Sequence, residues 1–217
     1  MVGGPGAGKG TQASLLAKRL GLVHVASGDL FRDNISRETA LGKKVKGYLS
    51  KGALVPDDVT AQMINDRLNQ PDAAEGVILD GFPRTRAQAE ALEKMLGKRG
   101  AHVDQALFVD VDKNEVVRRL SGRWLCSKTP DHVYHTIARP PKVPGKCDID
   151  GAKLIQRDDD KPETIKARLG QQLPPMYEVV DYYTDRGVLS TVDGDGEVAA
   201  VTEALLHAIA QPVRQQG

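Results

Sequence analysis

No stretch of this 217-residue chain approaches the roughly 18 consecutive apolar residues that a membrane-crossing helix requires. Signal-peptide and lipidation patterns are also missing, so a cytoplasmic protein is expected. Cysteine is scarce, and two residues, Cys126 and Cys147, cannot staple a disulfide scaffold. Nor does charge of one sign dominate. Thirty Lys and Arg stand against 29 Asp and Glu for a formal net charge of +1, so any positive site must be locally focused. That balance argues against a general nucleic-acid or membrane surface. Internal repeats and low-complexity tracts are lacking. The last shortage lies at the start: only Met1 and Val2 precede a glycine-rich run, where a central parallel strand normally supplies about five apolar residues. The expectation is that a few upstream apolar residues are missing; a naturally short first strand is the alternative.

What is present begins with "GGPGAGKGTQ". Gly3 to Lys9 fits the spacing G-x-x-x-x-G-K, in which a glycine-rich loop curls its N–H groups around phosphate oxygens. Lys9 supplies a mobile point charge for the β- and γ-phosphates. The following run reads as a helix whose N-terminal dipole faces the same anion. Gly10 stands where the general pattern has a magnesium-binding Ser or Thr, and Thr11 follows it.

Short apolar runs at "GLVHVAS", "GVILDGF", "QALFVDVD" and "GVLSTVDG" read as strands buried on both faces. Helical patterns lie between them, near 11–20, 29–50 in pieces, 57–69, 85–99, 113–121, 162–186 and 197–210. Pro56-Asp57-Asp58, Asp112 and Asp160 mark helix starts. This alternation predicts an α/β fold: a central parallel sheet covered by helices on both sides, with ligands beyond the carboxyl ends of the strands. Two segments break the rhythm. Residues 26–55 are helical without a following strand, and residues 123–158 are rich in Pro, Gly and Lys, as a lid or small subdomain would be.

Asp80 closes the strand "GVILD", where a carboxylate faces the phosphate site and holds magnesium directly or through water. A plain strand-end turn aspartate is the competing reading. Arg84 follows in "GFPRT". Arg32, Arg119, Arg123, Arg157 and Arg168 fall at or near the edges of the two irregular segments. Singly, each is an ordinary surface charge; together they suit phosphoryl transfer, which needs positioning and charge neutralisation rather than a covalent nucleophile.

"GGPGAGKGT", "ASGDLFR", "LDGFPRT" with Gln88, and "GRW…YH…RPPKVPGKCDIDG…QRDDDKPETIKARL" resemble the long-lid adenylate kinases over essentially the whole chain. The resemblance implies a P-loop three-layer fold with a five-stranded parallel sheet. It also implies a core (1–25, 56–122, 159–217), an AMP-binding segment (26–55) and a lid (123–158). On that resemblance Gly6, Ala7, Gly8, Lys9, Gly10 and Thr11 cradle the ATP phosphates. Arg119 flanks the donor base, which backbone near Gly196 reads. Ser27, Arg32, Ala53, Leu54, Val55, Gly81, Arg84 and Gln88 hold AMP. Arg123, Arg157 and Arg168 bridge the transferring phosphoryl, and Asp80 anchors Mg²⁺ through water. The implied reaction is ATP + AMP ⇌ 2 ADP, by a monomer acting on nucleotides.

Ser27 stands where these kinases usually have threonine; serine there also occurs in GTP-using relatives, so a GTP-using or other nucleoside-monophosphate kinase is the alternative. An ATP-sensing switch is a further reading from another class. Lids of the family close with four zinc ligands or with a polar hydrogen-bonded set. Here Cys147 and Asp150 form an intact second pair, while Cys126 is paired with Thr129, a poor zinc ligand. His132 is the candidate fourth ligand for Zn²⁺ beside Cys126, Cys147 and Asp150. Two reduced structural thiols or a disulfide are the other readings. His24, His102 and His207 read as surface or packing residues, His135 as a lid brace and Trp124 as lid packing.

Overall fold

The computed structural model describes residues 1–130 and 132–211. Among them the order is α1 (Lys9–Leu20), β1 (Val23–Ala26), α2 (Ser27–Ser36), α3 (Ala40–Ser50), α4 (Asp57–Leu68), β2 (Val77–Asp80), α5 (Arg86–Gly97) and β3 (Ala106–Asp110). Then follow α6 (Lys113–Ser121), β4 (Arg123–Cys126), β5 (Val133–His135), β6 (Leu154–Ile155), α7 (Pro162–Asp185), β7 (Leu189–Asp193) and α8 (Val198–Ala210). The expected strand–helix alternation is present, with each helical pattern close to its expected bounds.

The parallel sheet is built as two pairs, β1 with β2 and β3 with β7. Between them runs a stub. Val2 bridges Phe108, with its N–H donating to Leu107 O at 2.7 Å and its carbonyl accepting from Val109 N–H at 2.9 Å. On the other side the Met1 nitrogen donates to Leu79 O at 2.8 Å. The expected fifth strand is present as a single bridge. The α/β class is unaffected.

Alternation along β3 shows why the fold is layered. Ala106 and Phe108 enter one apolar cluster with Ala89, Met176, Val179, Tyr182 and Tyr183 of α5 and α7. Leu107 and Val109 enter another with Leu16 of α1, Val192 of β7, and Val201 and Leu205 of α8. Successive side chains of a strand point to opposite faces, so one four-residue run buries both layers. The other parallel strands depart from the expected burial on both faces: β2 is half-buried throughout, β1 buries only Val25, and β7 buries only Val192 and exposes Thr191 and Asp193.

The two irregular segments have different solutions. α2 and α3 pack Phe31 and Val45 against Val55, Met63, Ile64, Phe82 and Leu92. The Pro- and Gly-rich segment contains strands that its composition hid: β4 pairs antiparallel with both β5 and β6. Its own core is tiny, with Cys126, Tyr134, Cys147 and Leu154 buried and Trp124 packed beside them. No helix among the described residues is long and apolar enough to cross a membrane.

Candidate functional site

The carboxyl ends of the strands open into one cavity of about 460 Å³, within the range of small-ligand sites. Every residue that the sequence reading assigned to either nucleotide or to magnesium lines it; Cys126, Cys147 and Asp150 lie elsewhere.

The glycine loop forms the floor. Gly6 has φ +82°, and a Cβ there would come within 2.8 Å of Leu120 Cγ, so both conformation and space demand glycine. A Cβ at Gly10 would stand 3.3 Å from Asp80 Oδ2. The start of α1 thus packs directly against the strand-end carboxylate, leaving little room for the hydroxyl side chain of the general pattern.

Lys9 donates to Gly4 O at 2.7 Å, and burial lowers its ammonium pKa to about 8 despite the attraction of Asp80. Burial pushes the Asp80 carboxyl up, but hydrogen bonding to His24 and the Lys9 charge outweigh that and hold it at about 2. His24 Nε2 lies 3.5 Å from Asp80 Oδ2 and lines the cavity. It is not the surface or packing residue expected: on β1 it pairs with Ile78 of β2, two residues before Asp80, which could not be seen in one histidine within an apolar run.

The roof is cationic. Burial, followed by the neighbouring Arg168 charge, lowers Arg84 to about 10; burial, then Arg32 and Arg123, lowers Arg157 to about 9. Arg168 shifts down for the same reasons, partly offset by Asp159. Each still carries its charge at neutral pH. Nε of Arg32, Arg157 and Arg168 is buried without a hydrogen-bond partner among the described residues. Cations crowded until they repel, with buried donors left over, fit a polyanion.

Anchors for these cations were mostly missed from the sequence. Asp160, expected as a marker of the α7 start, caps nothing. Its carboxylate is fully buried between Arg123 and Arg168, and Pro162 opens the helix. Arg119 donates to Glu115 at 2.7 Å, and Glu115 is held at about 2 chiefly by Arg118 and then Arg119. Gln172 of α7 accepts from Arg84 at 3.3 Å and donates to Gly52 O at 2.7 Å. Gln12 donates to Val198 O and accepts from Thr202, tying α1 to the start of α8 beside Gly196. Glu115 stands three residues before Arg118 and four before Arg119, and Asp160 eight before Arg168, but the other pairings span 37 to 190 residues, which no local pattern signals.

Within the small antiparallel sheet, potential ligand atoms of Cys126, His132, Cys147 and Asp150 all lie within 4.8 Å of one another. Cys126 Sγ lies 3.2 Å from both Asp150 oxygens, and His132 Nδ1 lies 3.4 Å from Cys147 Sγ and from Asp150 Oδ2. Backbone N–H groups of Lys128 and Thr129 point at Cys126 Sγ. Both cysteines are free thiols, so the disulfide reading is corrected. Thr129, the position that broke the ligand pattern, instead donates to Asp150 at 3.2 Å. His135 braces the sheet: its Nδ1 accepts from the N–H groups of Ile137 and Ala138, leaving Nε2 as donor to Arg118 O.

A glycine loop before a helix, a strand-end aspartate and a converging set of arginines define a P-loop nucleotide-binding protein. The family model for adenylate kinase matches residues 1–188. Adenylate kinases of Streptomyces avermitilis and Streptomyces coelicolor are 48% and 47% identical over 209 residues, 96% of this chain and 95% and 96% of theirs. That of Caldicellulosiruptor saccharolyticus is 45% identical over 209 residues, 96% of this chain and 97% of its own. The chain belongs to the adenylate kinase family.

Proposed function

We propose that this protein transfers the γ-phosphoryl group of ATP to AMP, giving two ADP reversibly, with the donor on the glycine loop and the acceptor between α2, α3 and α5. The observation that carries this reading is that Arg84, Arg157 and Arg168 line one cavity together with the glycine loop, Ser27, Arg32 and Gln88, with Nε of Arg157 and Arg168 buried and unpartnered among the described residues. A phosphate oxygen of AMP attacks the γ-phosphorus in line as the bond to the β–γ bridging oxygen breaks. Lys9 and the arginines neutralise charge on the equatorial oxygens, and no protein nucleophile is required.

Residues 26–55 are the acceptor segment and 123–158 the lid. Ser27, Arg32, the backbone of Ala53 to Val55, Gly81 and Gln88 hold AMP, while Arg119 and the backbone at Gly196 face the donor base. Asp80, ionised and packed against Gly10, suits a water-mediated hold on Mg²⁺ accompanying the nucleotide. That ion supplies charge neutralisation along the phosphates. The four lid ligands suit Zn²⁺: tetrahedral bonds of about 2.0–2.3 Å imply ligand separations of roughly 3.3–3.8 Å. The two N–H groups on Cys126 would steady a thiolate. A metal would supply folding energy that so small a core lacks. We place the protein in the cytoplasm as a monomer.

Incubation with ATP, AMP and magnesium tests the reading. Two ADP should form for each AMP consumed; slow ATP hydrolysis indifferent to AMP would mark a switch protein instead.

A further inference from the structure

We infer that Asp57 is a positioning residue for acceptor choice: by fixing the orientation of the Gln88 amide, it makes the site select a 6-aminopurine monophosphate over a 6-oxopurine one. This rests on the reading of Gln88 as the contact to the acceptor base.

Gln88 is 1% exposed, lies in the first turn of α5 and lines the cavity. Partners of opposite kind grip its amide. The backbone N–H of Arg84 donates to Oε1 at 2.8 Å, and Nε2 donates to Asp57 Oδ1 at 2.7 Å. A backbone N–H cannot accept, and a carboxylate cannot donate. A reversed amide would therefore set donor against donor and acceptor against acceptor. Asp57 is itself held, since its Oδ2 accepts from the Thr85 hydroxyl at 3.0 Å. The same Thr85 oxygen caps α5 by accepting from Gln88 N–H at 3.1 Å.

One N–H and one lone pair of the amide remain for a ligand. They match an edge with an amino donor beside a ring-nitrogen acceptor, the pattern of adenine. A 6-oxopurine carries an acceptor where adenine has its amino group, so it needs the amide reversed. An unrestrained glutamine flips readily and serves both bases. Here the flip breaks two hydrogen bonds and turns Oε1 onto the carboxylate. Asp57 does not line the cavity, so it acts on the base only through Gln88. Its exposed neighbour Asp58 shares the first turn of α4 and serves as the control for helix-terminus charge.

The experiment measures kcat and KM for AMP and for IMP at saturating ATP in the parent, D57N, D58N and Q88A. The asparagine of D57N can donate or accept, so the AMP-over-IMP ratio of kcat/KM should fall about tenfold or more. The change should lie mainly in the acceptor KM, with KM for ATP unmoved and the D58N ratio at the parent value. D57S repeats the comparison if D57N melts below the assay temperature. A D57N ratio within about twofold of the parent, while Q88A loses discrimination, overturns the role of Asp57 and leaves the Gln88 reading standing. An unchanged ratio in Q88A overturns both.

Discussion

Arg123 and Asp160 meet through two parallel hydrogen bonds, Nε to Oδ2 at 2.8 Å and Nη2 to Oδ1 at 2.6 Å. Asp160 Oδ1 also accepts from Arg168 Nη1 at 2.9 Å, and the carboxylate is 0% exposed. One buried charge thus holds two guanidiniums, from β4 and α7, at the edge of the cavity. Breaking a buried pair by neutralising one partner leaves uncompensated charge, at a cost of about 3 kcal/mol or more. Asp160→Asn should therefore lower the melting temperature of the nucleotide-free protein by several degrees. Saturating ADP should recover part of the loss, because its phosphates replace the missing negative charge. Thermal melts with and without ADP check this, and an unchanged melting temperature would contradict it.

Arg84→Ala should reduce turnover on the order of 10³-fold while leaving the far-ultraviolet circular dichroism unchanged. The side chain is held by Gly81 O at 2.7 Å and by Gln172, with no place in an apolar cluster. Turnover within about tenfold of the parent would remove Arg84 from the phosphoryl path.

Lys9 gives a pH signature. Its ammonium is lowered from 10.5 to about 8 by burial in the nucleotide-free protein. At pH 8.5 much of Lys9 is then neutral; a bound triphosphate favours the charged form, so binding takes up a proton. Calorimetry of ATP binding at that pH, in two buffers of different ionisation enthalpy, should show this uptake. Lys9→Met should abolish it. For stability the sign is the reverse of a salt-bridged lysine: between pH 8 and 10.5 the unfolded chain binds more protons at this site, so its contribution to stability rises with pH. Equal binding enthalpies in the two buffers would contradict the shift.

The lid makes a separate prediction. Protein purified without chelator should carry close to one zinc ion per chain. Cys147→Ser should lose it and melt earlier, and His132→Ala should weaken binding. Metal-free protein with two freely titrating thiols would leave the segment held by hydrogen bonds alone.

How much of this could be read from the sequence follows from the physics of each part. The glycine loop, the strand-end Asp80 and the arginines announce themselves because spacing and charge are local. The helices did so through apolar periodicity and their start signals. The three short lid strands did not, since Pro and Gly mask a period spread over two to four residues. Asp160 marked the start of α7, which begins two residues later at Pro162. Only the tertiary fold shows that its carboxylate also faces Arg123 and Arg168. His24 beside Asp80, Gln172 between Arg84 and Gly52, and Asp57 on Gln88 all depend on pairing across distant elements, which leaves no trace in neighbouring residues. His132 is the converse case. The broken pair at Cys126 and Thr129 made it the candidate in the sequence, and the fold brings its Nδ1 to the other three ligands.

The central claim is that the two nucleotides exchange a phosphoryl group directly, and the most direct test follows the label. With ATP labelled at the γ-phosphorus and unlabelled AMP, the radioactivity should appear in the β-phosphate of ADP, with inorganic phosphate at the level of a protein-free blank. Label released as inorganic phosphate, with AMP left unconsumed, would contradict the account.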